Sequence, residues 1–113
     1  MTIITLCGST KFYTETEKAA RDLSVNGFLV LRTSFYSKSR DKELFDKMTN
    51  NEKEYIIDKL VKEHDIMIDM SDGIYVINPD GYIGESTKRE IEYAKGKGKF
   101  VLYLEDPKND SKI

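Results

Sequence analysis

Between Asp80 and Lys99 the chain reads DGYIGESTKREIEYAKGKGK. Glu85, Glu90 and Glu92 place three carboxylates there, and Ser86 and Thr87 add hydroxyls where a helical pattern begins. A carboxylate set in a cleft can attack an electrophilic carbon or exchange a proton with a substrate. Amides and hydroxyls at a helix N-terminus can hold an anion or sugar hydroxyls. The same text also suits a solvated helix, because Glu85 with Arg89 and Lys88 with Glu92 form i,i+4 pairs. Glu90 stands apart: four residues on lies Ala94. With Ile91 and Ala94 against a sheet, Glu90 sits about 100° round the helix, on the flank shared with Ser86 and Tyr93.

A second candidate is CGSTKF, Cys7 to Phe12. Gly8 lets backbone amides come close to an anion, and Ser9, Thr10 and Lys11 add donors. The text is neither a GxxxxGK[ST] phosphate loop nor a GxGxxG fingerprint, and a plain strand-to-helix turn would read alike. Cys7 closes an apolar strand, and burial accounts for it. A thiol nucleophile needs a base, and the single histidine, His64, is remote in sequence. His64 falls near the end of a helical stretch, ahead of DIMIDMSD, and no spacing there supplies three zinc ligands. No metal is expected.

These residues need elements to position them. Thr2 to Cys7 is a short β-branched apolar run stopped by Gly8, a buried strand. Thr14 to Val25 is helical, with Thr14 as its cap and Asn26-Gly27 as its end. Phe28 to Arg32 is a second strand. Thr33 to Thr49 is polar and has no clear periodicity; a lid and a disordered segment both fit it. Asn50 to Asp69 has helical spacing at Tyr55, Ile56, Leu60 and His64. Gly73 to Asn78 is a third strand, closed by the turn Pro79-Asp80-Gly81. Glu85 to Lys95 is a helix ended by Gly96 and Gly98, and Phe100 to Leu104 a fourth strand. Residues 106–113 form a polar tail behind a single domain, 1–105. Strands that are nearly continuous apolar runs, alternating with helices, make a parallel sheet covered on both faces. Ligands of such sheets lie beyond the carboxyl ends of the strands, where strand order reverses. That picks out Gly8 to Lys11 and Asn78 to Glu85.

Composition narrows the partners. At 113 residues, 39% hydrophobic and 34% charged, the chain suits one small charged domain, which an oligomer would help to stabilise. A net charge of −2 gives no broad basic footprint for duplex nucleic acid. One cysteine excludes an internal disulfide. No apolar run approaches the length of a membrane span, and MTIITLCGS has no basic region followed by a long apolar one. A cytoplasmic setting is expected.

The strand end CGST, the strand DGIYVIN and above all GYIGESTKREIEYA resemble the nucleoside 2-deoxyribosyltransferase-like superfamily, in particular its short members. That superfamily also holds 2′-deoxynucleoside 5′-phosphate N-hydrolases. The resemblance runs over residues 2–104. It implies a flavodoxin-like (Rossmann-like) three-layer sandwich, with four to five parallel strands in the order 2-1-3-4(-5). It implies cleavage or transfer of the N-glycosidic bond of a nucleoside or nucleoside 5′-monophosphate, and assembly as a homodimer or larger. The superfamily's E-x-G-x-A nucleophile pattern falls on Glu90 to Ala94, so the resemblance makes Glu90 the nucleophile; Glu92 stands in place of the glycine. Gly8 and Ser9 fall on the N-terminal binding loop, continued by Thr10 and Lys11, and Phe12 stands where an aromatic stacks on the base. Asn78, Tyr82, Gly84, Glu85 and Ser86 complete the expected substrate contacts. The superfamily's carboxylate before the third strand has no clean counterpart among His64, Asp65, Asp69 and Asp72; Asp69 and Asp72 are ranked first. A non-catalytic nucleotide-binding module on the same fold is the alternative. The lack of Trp and of a longer hydroxyl-rich first loop argues against an FMN carrier, so no cofactor is expected.

Overall fold

A computed structural model describes residues 1–33 and 41–107. In chain order these residues form β1 (Ile3–Gly8), α1 (Tyr13–Val25), β2 (Leu29–Leu31), α2 (Lys42–Asp46), α3 (Asn50–Met70), β3 (Gly73–Ile77), a single 3-10 turn (Pro79–Gly81), α4 (Glu85–Gly96) and β4 (Phe100–Tyr103). The four strands make one all-parallel sheet in the order β2-β1-β3-β4. That is the expected order; a fifth strand is not found among the described residues.

Side chains alternate across the pleat, so each strand serves two helical layers. Cys7, Ile74 and Val76 form a buried cluster with Ile68 of α3 and with Ile91 and Ala94 of α4. The opposite face packs against α1, whose buried residue is Ala19. Both faces are thus covered, which explains why the strands read as unbroken apolar runs.

Element ends follow local chemistry, with some shifts from expectation. Thr14 does not cap α1; the helix starts one residue earlier, with Phe12 at the cap position and no side-chain cap bond. The Phe12 amide donates to the Ser9 carbonyl, and the Thr16 hydroxyl donates back to the Phe12 carbonyl. α1 ends at Asn26, and Gly27 takes the left-handed φ of +93° that glycine adopts without penalty. α3 opens on a reciprocal capping box that the unassigned Thr33–Thr49 text concealed. The Glu52 amide donates to the Thr49 hydroxyl, and the Glu52 carboxylate accepts from the Thr49 amide. From that stretch the structure also describes α2, with Phe45 buried. The rest of the suggested lid, residues 34–40, and the tail beyond residue 107 lie outside the described residues.

At 21 residues α3 is about 30 Å long, whereas β3 has five residues and is about 17 Å long. The helix therefore starts well beyond the sheet's carboxyl edge. Its Ile57, Leu60 and Val61 form a wall there.

β1 and β3 pair with Gly8 facing Ile77. A Cβ at position 8 would lie 2.9 Å from the Ile77 Cβ and 3.0 Å from its carbonyl oxygen. Neither atom can swing away, so the strands would have to part. Gly8→Ala is expected to cost about 1–3 kcal/mol, the range of overpacking. Urea denaturation checks it; a midpoint equal to wild type would refute the close approach.

Candidate functional site

Parallel strands bring their carboxyl ends to one edge, and strand order reverses between β1 and β3. A cavity of about 540 Å³ opens at that edge. Its polar lining includes Ser9 and Thr10 after β1, Arg32 and Thr33 after β2, His64 of α3, and Ser86 and Glu90 of α4. Its apolar lining includes Phe45, Leu60 and Ile77. The volume suits a small organic molecule.

Glu90 is set into this wall, with only 12% of its side chain exposed. Two helices run parallel to each other on this face, and a ladder of polar contacts fixes their register. The Arg89 guanidinium donates to Asp65, at 2.9 Å for the nearer oxygen. The Tyr93 hydroxyl donates to Asp69 at 2.8 Å. Between them His64 Nδ1 meets Glu90 Oε2. Arg89 does not make the i,i+4 pair with Glu85 that its spacing suggests; Lys88 takes that carboxylate instead, at 3.5 Å.

His64 is buried, and both ring nitrogens are engaged. Nε2 lies 3.0 Å from the Leu6 carbonyl, so it must donate. Nδ1 faces a carboxylate, so one further proton lies between Nδ1 and Oε2. Burial pulls the His64 pKa down. The hydrogen bond and charge of Glu90, with the Leu6 carbonyl, more than reverse this and leave it above the ordinary histidine value. The two ring nitrogens thus tie His64 to the end of β1 on one side and to Glu90 on the other.

Cys7 completes the group, with Sγ 3.8 Å from His64 Nε2. The order thiol, imidazole, carboxylate has the outline of a nucleophilic triad. Two facts oppose that chemistry. The Leu6 carbonyl occupies the Nε2 proton, so Nε2 cannot take one from the thiol. Burial, followed by the Glu90 charge, pushes the thiol well above its usual pKa. The Glu90 carboxylate, which shares the cavity lining, has neither obstacle.

The expected site residues divide into two sets. Gly8, Ser9, Thr10, Ser86 and Glu90 line the cavity together. Asp69 and Asp72 do not. Asp69 is exposed and engaged with Tyr93 and, at 3.8 Å, with Lys97. Asp72 precedes β3, so it lies at the amino edge of the sheet, where it accepts from the Ile3 amide at 2.8 Å. Parallel strands put these two ends on opposite sides of the molecule. Asn78 is fully buried, and its amide clips the backbone of Glu105, donating at 2.8 Å and accepting at 2.9 Å. Lys11, Phe12 and Tyr82 gather outside the cavity lining. Lys11 Nζ sits 3.6 Å from the centre of the Tyr82 ring, and the two rings meet edge-on at 5.7 Å. Gly84 caps α4, and Glu85 projects into solvent with its side chain 94% exposed.

His64 is the residue that sequence reasoning passed over. Its signal was present: Leu60, His64 and Ile68 recur at intervals of four, so a lone imidazole lies on the apolar stripe of α3. Glu90 carried the matching signal, a carboxylate with no partner on its own helix.

Fold and site together define a parallel α/β protein with a cavity of about 540 Å³ at its topological switch point and a His–Glu pair in the cavity wall. Comparison with protein-family models, curated proteins and solved structures finds no match to this chain. No helix among the described residues is long and apolar enough to cross a membrane.

Proposed function

We propose that this chain cleaves or transfers the N-glycosidic bond of a (deoxy)nucleoside or nucleoside 5′-monophosphate, with Glu90 as the nucleophile. The observation that carries the reading is the Glu90 side chain set into the wall of a cavity it shares with Gly8, Ser9 and Thr10. The resemblance of GYIGESTKREIEYA to the deoxyribosyltransferase-like superfamily supplies the bond to be broken.

Glu90 attacks C1′ through an oxocarbenium-like transition state as the base departs, and water or a second base then resolves the glycosyl-enzyme. His64 orients Glu90 and holds a proton at Nδ1. Attack converts the carboxylate to a neutral ester, which removes the charge that raises the His64 pKa. The same step therefore loosens the His64 proton and makes it available, directly or through water, to the leaving base. Amides at the start of α4 and the hydroxyls of Ser9, Thr10 and Ser86 hold the sugar or its phosphate.

A panel of nucleosides and nucleoside 5′-monophosphates, read out as free base, tests the reading. Release from at least one of them is expected. The second reading, a nucleotide-binding module, is favoured by Glu92 in place of the pattern's glycine. Thermal stabilisation by a nucleotide without any base release would decide for it.

Asp69 and Asp72 are placed away from the cavity, so neither touches the reacting atoms in this scheme. Asp69→Asn and Asp72→Asn are expected to release base at the wild-type rate. A collapse of the rate in either variant, with folding intact, would return the proton-donor role to that carboxylate.

A further inference from the structure

Cys7, His64 and Glu90 come from β1, α3 and α4, and their potential ligand atoms all lie within 4.8 Å of one another. Such a set, one sulfur, one nitrogen and one oxygen, suits a borderline-soft divalent ion and not magnesium or calcium, which take oxygen. We propose that Cys7, His64 and Glu90 bind a divalent ion of the zinc class at the floor of the cavity, in a state that excludes glycosyl chemistry.

Four observations support the site. The three side chains lie on three separate elements of a packed core, so they are held in place before any ion arrives. The Leu6 carbonyl accepts from His64 Nε2, which turns Nδ1 towards Glu90; a backbone carbonyl behind a ligating imidazole is the usual support for such a ligand. Charges balance: a thiolate, a carboxylate and a neutral imidazole carry two negative charges against the ion's two positive ones. All three residues line the cavity, leaving a side from which a water or other small ligand can complete a tetrahedron.

Binding exchanges protons for the ion. The Cys7 thiol loses its proton, and so does the Nδ1–Oε2 contact. Both protons go to solvent. Sulfur, nitrogen and oxygen then each form one bond to the metal. The excluded glycosyl chemistry rests on the reading of Glu90 as nucleophile: a carboxylate bound to the metal cannot attack C1′.

Cobalt spectroscopy on the chelator-treated full chain tests the site. Cys7 is the only cysteine, so any thiolate-to-cobalt charge-transfer band in the near ultraviolet reports this residue alone. The expected result is a tetrahedral cobalt spectrum with that band, abolished by one equivalent of zinc. Zinc affinity should fall at least about tenfold in Glu90→Gln and in Cys7→Ser. A cobalt spectrum without the thiolate band would overturn the proposal without any variant, and so would equal zinc affinity in wild type, Cys7→Ser and Glu90→Gln. In the base-release assay, zinc should stop turnover and a chelator restore it. Undiminished turnover by the zinc-saturated chain overturns the exclusion. Failure of the Glu90 reading itself shows separately, as undiminished turnover by metal-free Glu90→Gln.

Discussion

Glu90→Gln is expected to fold as wild type does and to lose base release by roughly three orders of magnitude or more, the scale seen when a nucleophile is removed. The substitution is nearly isosteric, and it preserves the contact to His64 with reversed roles. The introduced side-chain amide would donate a hydrogen to Nδ1 of a neutral imidazole, while Nε2–H still donates to the Leu6 carbonyl. Both ring nitrogens of His64 keep a partner, so stability should hold. What disappears is the anionic oxygen that bonds to C1′, together with the charge that raises the His64 pKa. The measurement is free base released per unit time, beside a thermal melt of the same sample. Wild-type turnover by a folded Glu90→Gln protein would dismiss the nucleophile assignment, and with it the mechanism.

Ile68→Ala is expected to remove a large share of the protein's stability. Ile68 is fully buried, and it joins α3 to Ile74 and Val76 of the sheet and to Ile91 and Ala94 of α4. Deleting its outer carbons removes transfer free energy and leaves a cavity, together about 2–5 kcal/mol. Against a total stability of about 5–15 kcal/mol this is a large fraction. The melting temperature should fall by roughly ten degrees or more. Ile66, two residues away, is 57% exposed. Ile66→Ala should change stability by no more than about 0.5 kcal/mol. Parallel melts check the contrast, and equal losses at both positions would show that the assigned buried face of α3 is not the one that packs. Activity should suffer too in Ile68→Ala, because His64 is one helical turn away and relies on α3 lying firmly against the sheet.

Local text and periodicity determined much of this protein. The four apolar runs are strands because β-branched segments bounded by Gly, Asn and Pro have few other ways to bury themselves. Their alternation with helices implied a parallel sheet, and the sheet's order, once formed, put a cavity at the carboxyl edge near Gly8 and Glu90. Glu90 was legible because it is the one carboxylate of its helix lacking a partner in sequence. The tertiary structure alone decided the rest. His64 lies 26 residues before Glu90, and no sequence spacing shows that parallel packing of α3 and α4 makes them neighbours. Cys7 joins them only because β1 runs beneath both helices. Asp69 and Asp72 are near Glu90's helix in sequence terms, yet the packing turns one to solvent and leaves the other at the far end of the strands. Phe12, Tyr82 and Asn78 had the right chemistry for ligand contacts, but found partners within the chain. The physical reason is common to all of these. Hydrophobic periodicity fixes which face of an element is buried, whereas the partner of a polar group depends on the rotation and register of two elements packed together.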